Sequence, residues 1–551
     1  MCFKNGITMR SLRLKLVVSA LLFFFFNCSA IEPSLTLFIP MRDGTQLPTD
    51  IYLPPDKKEN LPCILIRNPS GRKTEPWLQY HQLTHFGYAV AFQDTRSALD
   101  ATGKTFPFLH DGWGSEQDGY DTVEWLAKHP ITNGKIGTIG FSAAGITQLL
   151  MAPSAPPSLQ CQYIGIAAAS LYHHAIFSQG TLLKNQVEGW LNLYAKDKSV
   201  IDFVQSQPLY NEFWEKFNSL PVSHQVQVPG FIYGGWYDTF LKGTIDSFVA
   251  RQKNGGSGAL GKQKLLIGPW THHWPRKTEL GDFKVPNNGA MSAYDITPQR
   301  WFDYYLKGID NGIEDLPNIV YYVMGPFDGS KSSGNVWRTA ENWPIPAKKV
   351  PFYLNQLQEI SDKQALKEKT YNYIHNPANP IPTLGGKNLF LESGPKDQLS
   401  IESRSDIVVF TSPPLKQDIE VTGDLSATIY FSSNLEQTDV IVRLTDVYPD
   451  GRSILIADGI HHFVKKNNTP QKCVIDLWPT SIVFAKGHKL RVSISSSSYP
   501  KYDNNQTNLP NDVAENKIFV GKKYPSSITL PVVRQGNEWL VTPQDDITDL
   551  N

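Results

Sequence analysis

The stretch Gly134–Leu150, GKIGTIGFSAAGITQLL, constrains the fold of this chain more than any other. A short apolar run from Lys135 to Ile139 breaks at Gly-Phe-Ser-Ala-Ala-Gly and continues in helix-compatible residues. A strand that turns directly into a helix brings two backbones together at close range, so the positions two before and two after the apex must be small. Gly140 and Ala144 occupy those positions around Ser142, and Gly145 stands one further on. The pattern is therefore Gly-x-Ser-x-x-Gly rather than Gly-x-Ser-x-Gly, with the steric requirement kept. Ser142 is then either a nucleophile raised on a strained turn or a small residue in a tight corner.

From about Leu35 to His273 such runs recur: Cys63 to Ile66, Tyr88 to Phe92, Lys135 to Ile139, Tyr163 to Ala167, Phe231 to Tyr233 and Lys264 to Ile267. Bounded by Gly and Pro and alternating with helical patterns, they predict strands of a doubly wound, mostly parallel sheet buried on both faces. One of those helical patterns is DGYDTVEWLAKH, with Tyr120, Val123 and Leu126 on one stripe. Residues 171–226 interrupt the rhythm with aromatic helical segments such as Phe213, Trp214 and Phe217, and predict an inserted helical cap without a strand. Beyond about residue 340 the period becomes two, in IVVFTS, LSATIYFSS, VIVRLTDV, SILIADGI and HKLRVSIS between turn signals, which predicts an all-β jelly-roll sandwich. The expected division is 31–170 and 227–340 for the α/β domain, 171–226 for the cap and 341–551 for the jelly roll.

Residues 1–30 read as a secretory signal peptide: Lys4, Arg10, Arg13 and Lys15 precede an apolar run from Leu16 to Phe26, then Asn-Cys-Ser-Ala. That run has eleven residues, well short of the roughly 20 that span a bilayer as a helix, so no stable membrane span is expected. Cleavage after Ala30 predicts a secreted or periplasmic protein. A lipidated Cys28 is the alternative, against which Asn27 occupies a position that normally carries a small residue. The mature chain keeps Cys63, Cys161 and Cys473, enough for at most one disulfide, and no Cys/His spacing resembles a metal site. With 52 basic and 52 acidic residues in 551 and no basic block beyond the leader, nucleic acid is excluded as an expected partner.

A serine nucleophile needs a base to take its proton, an acid to orient that base and donors for the oxyanion that forms. VPGFIYGGWYDTF ends a predicted strand with Asp238, and KLLIGPWTHHW ends the next with His272. Each residue stands after the carboxyl end of its own strand, where an open α/β sheet forms its ligand crevice. Ser142, Asp238 and His272 also follow the chain order of α/β hydrolases. Asp238 as a turn residue and His272 as a buried core histidine are the blander readings, and three such residues in order make coincidence a poor account.

These stretches together resemble the CocE/NonD hydrolase family, which includes cocaine esterase, α-amino-acid ester hydrolases and glutaryl acylases and is similar to the X-Pro dipeptidyl-peptidases. The motifs are MRDGTQLPTDIYLP, RNP, QDTR, GFSAAG, GWYD, GPWTH and WFDYYLKG, then DQLSIESRSDIVVFTSPPLKQDIEVTG, TDVIVRLTDVYPDGRS and FAKGHKLRVSISSSSYP, over roughly residues 38 to 505. The resemblance implies an α/β hydrolase with a helical cap and a C-terminal jelly roll, cleaving esters or amides through an acyl-enzyme without a cofactor. It assigns Ser142 as nucleophile, Asp238 as orienting acid and His272, rather than His273, as general base. It puts the backbone N–H of Ala143 in the oxyanion hole and Phe240 near the acyl pocket. The family's tyrosine after RNP, which supplies the second oxyanion donor, is replaced by Ser70, whose hydroxyl is several ångströms shorter in reach. Ser70, its loop backbone or a group from the cap is then expected to fill that role.

The expected partner is a small-molecule ester or amide, and the oligomeric state is left open. X-Pro dipeptidyl-peptidase or aminoacyl-ester hydrolase activity is the alternative within the class. Binding a free α-amino group would need carboxylates near the pocket, for which Glu116, Asp118 and Asp121 are candidates by composition only, and a capped, solvated helix start is the preferred reading of them. A binding jelly roll on a catalytically weak scaffold is the reading from a different class.

Overall fold

The computed structural model describes residues 32–533, except 75–76, 196, 274–276, 291–293 and 505–511. The expected signal peptide and Cys28 lie outside the described residues.

The runs read as buried strands form the centre of a ten-stranded sheet. Its strands are β1 (Leu35–Pro40), β2 (Gln46–Tyr52), β3 (Leu61–Asn68), β4 (Ala89–Asp94), β5 (Thr132–Phe141), β6 (Leu159–Gly165), β7 (Gly230–Tyr237), β8 (Lys264–Thr271), β9 (Ile319–Val323) and β10 (Val336–Ala340). Their order is β1-β2-β4-β3-β5-β6-β7-β8-β9-β10. Every pairing from β4 to β9 is parallel, while β1–β2, β2–β4 and β9–β10 are antiparallel. All eight residues of β3 are buried, as a strand covered on both faces requires. The fourth run ends earlier than expected: β6 stops at Gly165, because Ile166 takes a positive φ of 38°.

Helices α1 (Asp118–Lys128) and α2 (Ala143–Met151) connect the central strands. Val123 and Leu126 bury the stripe of α1, and Tyr120 lies at its margin under the Arg42 guanidinium. The insertion carries α3 (Lys184–Tyr194), α4 (Lys198–Gln205) and α5 (Glu212–Glu215), together with a π-helical turn at Tyr172–Ile176. It also contains a two-residue hairpin, Phe177–Ser178 with Thr181–Leu182, too short to leave an alternating pattern in the sequence and contrary to the expectation of no strand. The chain then returns through α6 (Leu241–Asn254) and α7 (Pro298–Lys307). Helix α7 starts at Thr297, whose side chain accepts from the Arg300 N–H, and stops at Gly308 with φ 71°. Its Phe302 occupies the space above Gly137 of β5, where an added Cβ would lie 2.7 Å from the ring.

The C-terminal part is all β. Strands β11 (Lys348–Leu354), β12 (Ile360–Ser361), β13 (Lys369–His375), β14 (Val408–Thr411), β15 (Ile419–Ser433), β16 (Gln437–Val447), β17 (Ser453–Val464), β18 (Gln471–Phe484), β19 (Lys489–Ser495), β20 (Ala514–Val520) and β21 (Ser527–Val533) form two sheets. One runs β12-β11-β21-β15-β20-β13 with β18 paired to β15, and the other runs β14-β19-β16-β17. Phe431 and Phe463 meet edge to face between them at 5.0 Å. Alternate residues of β15 are buried, which is the period-two signal seen in the sequence.

This part is fastened to the hydrolase sheet by backbone pairing. Met324 N–H donates to Ser481 O at 3.0 Å, and Val483 N–H donates to Met324 O at 2.8 Å. The Tyr237 hydroxyl, at the end of β7, donates to Leu455 O at 3.0 Å. Cys63, Cys161 and Cys473 are all buried free thiols, so none of the three is paired in a disulfide. Burial pushes the Cys63 and Cys473 thiols up to about 12.

Candidate active site

The turn after β5 has the geometry its small residues allow. Ser142 sits at φ 54° and ψ −123°, a region that costs an L-residue on the order of 1–3 kcal/mol. A Cβ on Gly140 would lie 2.7 Å from Ala144 Cβ and 2.8 Å from Ala144 O. A Cβ on Gly145 would lie 2.8 Å from Ala167 Cβ and 2.9 Å from Gly165 O. Alanine is therefore tolerated at 144 because its partner at 140 is glycine. The second glycine is needed at 145, where α2 approaches β6. The apex is held by its own backbone: Ser142 N–H donates to Gly165 O, and its carbonyl accepts from Ile146 N–H, both at 2.9 Å.

Three strand ends bring the polar side chains together. His272, immediately after β8, has Nε2 at 2.9 Å from Ser142 Oγ. Its Nδ1 is 2.9 Å from Asp238 Oδ2, just after β7. Asp238 is wholly buried, and its other oxygen accepts the Phe240 N–H at 2.5 Å. The imidazole is thus fixed in orientation by a carboxylate and aimed at a hydroxyl, the arrangement that lets a neutral ring take the serine proton. Ala143 opens α2, so its N–H is among the donors that a helix leaves without an intrahelical partner.

The ring of Phe240 meets His272 edge to face at 5.2 Å and is buried, so it forms the wall behind the base. The ring of His273 stands edge to face to that of His272 at 6.2 Å, outside the relay's hydrogen bonds. Burial first, and then the neighbouring His272, holds its imidazole below the ordinary histidine range. Beside His272 a cleft of about 340 Å³ opens between Thr271, His273 and Lys277 on one side and Leu389, Phe390 and Leu391 on the other.

Ser70 lies in the exposed turn after β3, the strand next to β5. The carboxylates considered for an amino group are occupied elsewhere. Asp118 pairs with Arg96 at 2.7 Å, Asp121 pairs with Arg42 at 2.7 Å, and Glu116 pairs with His110. They brace the start of α1. Among the described residues no group of three or more His, Cys, Asp or Glu side chains is placed to hold a metal ion, and no helix is long and apolar enough to cross a membrane.

Sequence reasoning passed over the network under the site. Arg67, of the RNP motif, is buried and donates through Nη1 to Asp111 at 2.6 Å and through Nε to Gln93 at 2.7 Å. Its carbonyl accepts from Thr147 of α2 at 3.0 Å, which ties the end of β3 to the helix behind Ser142. An arginine and a glutamine inside apolar strands were the available signal, since a buried charge needs a partner.

Comparisons with known proteins bear on the fold and the class of enzyme. A family model described as X-Pro dipeptidyl-peptidase (S15 family) matches residues 43–201 and 190–274, and one described as X-Pro dipeptidyl-peptidase C-terminal non-catalytic domain matches 311–529. Cocaine esterase of Rhodococcus sp. (strain MB1 Bresler) is 28% identical, with 91% of this chain and 98% of that protein covered. A CocE/NonD family hydrolase from Staphylococcus aureus superposes with a TM-score of 0.70 at 17% identity, covering 91% of this chain and 93% of that one. Over almost its whole length the chain is similar to cocaine esterase and to the CocE/NonD hydrolases. It is a serine hydrolase with an α/β-hydrolase sheet and a C-terminal all-β part. A solved α-amino acid ester hydrolase shares this fold, with a TM-score of 0.72, 22% identity and coverage of 94% of this chain and 100% of that one.

Proposed function

We propose that this serine hydrolase cleaves small-molecule esters or amides through an acyl-enzyme on Ser142. Ser142 Oγ attacks the substrate carbonyl carbon while its proton passes to His272 Nε2, and the carbonyl electron pair moves onto oxygen. Collapse of that oxyanion expels the leaving group, which takes the proton from His272. Water repeats the two steps on the acyl-enzyme and frees the acid. Asp238 holds the ring and stabilises the imidazolium between the steps. The observation that carries this reading is the continuous relay of 2.9 Å contacts from Asp238 through His272 to Ser142, on an apex held at positive φ.

Aminoacyl esters and X-Pro dipeptides rank behind esters without an amino group, because Asp118 and Asp121 are already paired with arginines and Glu116 is in contact with His110. A panel of aryl esters, aminoacyl esters and X-Pro anilides, run on wild type and Ser142→Ala, tests the reading. Turnover of aryl esters by wild type is expected, with a loss on the order of 10⁴–10⁶ in Ser142→Ala. Hydrolysis that persists undiminished in Ser142→Ala would overturn it.

A further inference from the structure

All three helices of the insertion meet one short segment of the hydrolase part, residues 100–112, between β4 and α1. Trp190 of α3 stacks on Phe108 at 5.5 Å. Phe213 and Trp214 of α5 meet the ring of Phe106 edge to face at 5.3 and 6.2 Å, and Phe217, just beyond α5, meets it at 5.1 Å. Asp197, the N-cap of α4, donates its N–H to Gly103 O at 3.3 Å. Aromatic contacts of this size dominate the packing of a small unit, so the seat of the insertion follows Phe106 and Phe108.

The segment is itself held from within and from the sheet. The Asp100 carboxylate accepts the N–H groups of Thr102, Lys104 and Thr105 at 2.8, 3.0 and 2.8 Å, which closes the turn that leads to Phe106. From β3, Arg67 Nη1 donates to Asp111 Oδ1 at 2.6 Å, and both side chains are buried. A carboxylate so far from water needs a cationic partner, and Arg67 is the one paired with it among the described residues. Asp111 N–H in turn donates to Phe108 O at 3.0 Å. Phe108 takes φ 69°, a region that a bulky residue enters only where its surroundings impose it. The ion pair, the turn that it anchors and the ring under Trp190 are therefore one unit.

Helix α3 carries that unit's position to the catalytic turn. Thr239 stands between Asp238 and Phe240, and its hydroxyl donates to Gln186 Oε1 in the first turn of α3. Trp190 lies four residues further on, about 6 Å along the helix. One end of α3 thus touches the turn of the catalytic acid, and its middle rests on Phe108.

We propose that Arg67 and Asp111 are positioning residues for substrate binding: by fixing Phe108 they set where α3 sits, and α3 shapes the pocket beside Asp238 and Phe240. The proposal rests on the acyl-enzyme reading above. It is tested by steady-state kinetics of the full chain on an aryl ester, in wild type, Asp111→Asn, Phe108→Leu and the double variant, with active sites counted by a fluorophosphonate and thermal melting of each. Both single variants are expected to raise KM on the order of tenfold, with kcat per active site within about twofold of wild type. The double variant should be no worse than the weaker-binding single variant, because both act through the same stack. Phe108→Leu removes the stack without stranding a buried charge, so it decides the matter where Asp111→Asn fails to fold. A merely structural role would lower the melting temperature and the number of active sites and leave KM unmoved. That outcome, or additive effects in the double variant, overturns the proposal. If turnover depends on Ser142 but Phe108→Leu keeps the wild-type KM, this inference alone fails; if Ser142→Ala retains full activity, the underlying reading fails.

Discussion

At Ser142 the backbone does what the side chain cannot do for itself. A positive φ lifts the hydroxyl off the strand and toward His272, and the strain is held by the hydrogen bonds to Gly165 and Ile146 and by the absence of a Cβ at 140. The position two before Ser142 is consequently less tolerant than the position two after it. Gly140→Ala puts a methyl group 2.7 Å from Ala144 Cβ, and the turn must open to admit it. The expected result is a loss of about 1–3 kcal/mol in urea unfolding, together with a fall in kcat as Ser142 Oγ shifts from His272. An unchanged midpoint and rate would mean that the turn has slack the geometry denies.

The elements differ in how openly the sequence announces them. Strands β3 to β8 were legible as apolar runs because a parallel strand covered on both faces has no polar side to blur the pattern. β1 and β2 were not, because β1 alternates and lies at the sheet edge with half its residues facing outward. Ser142, Asp238 and His272 could be placed because each stands one residue past the end of a readable strand. Arg67 and Asp111 could not be joined on paper, since their contact spans 44 residues and depends on a loop that sequence periodicity does not describe. Helix α3 is a similar case. Gln186, Trp190 and Tyr194 fall on one stripe, yet whether that stripe faces solvent or the catalytic strands depends on where the insertion docks. The substitution of Ser70 for tyrosine marked a gap in the chemistry that periodicity could not fill.

Across the whole molecule, the cap and the C-terminal sheets meet around a buried ion pair. Lys501 Nζ donates to Asp458 Oδ2 of β17 at 2.5 Å, and both side chains are largely shielded from solvent. The adjoining Pro500 carbonyl accepts the Asn185 N–H of α3 at 3.2 Å. Burial by itself would raise the Asp458 carboxyl, but the charges of Lys501, Lys387 and Arg443 and the hydrogen bond from Lys501 outweigh it and hold it below the usual carboxylate range. As pH falls through about 4, the unfolded chain binds a proton at this position before the folded one does. The stabilisation is therefore complete above that range and is lost as pH drops through the lowered folded value. Urea midpoints should fall from about pH 5 to pH 3 less steeply in Asp458→Asn than in wild type, whereas parallel curves would remove this pair from the acid response.

The central claim is that Ser142 is the nucleophile. Its most direct measurement is labelling of the native chain by a fluorophosphonate, with the modified residue located by peptide mass spectrometry. The relay predicts one adduct, on Ser142, that is lost in Ser142→Ala and strongly slowed in His272→Ala. An unlabelled wild type, or an adduct that survives Ser142→Ala, would contradict it.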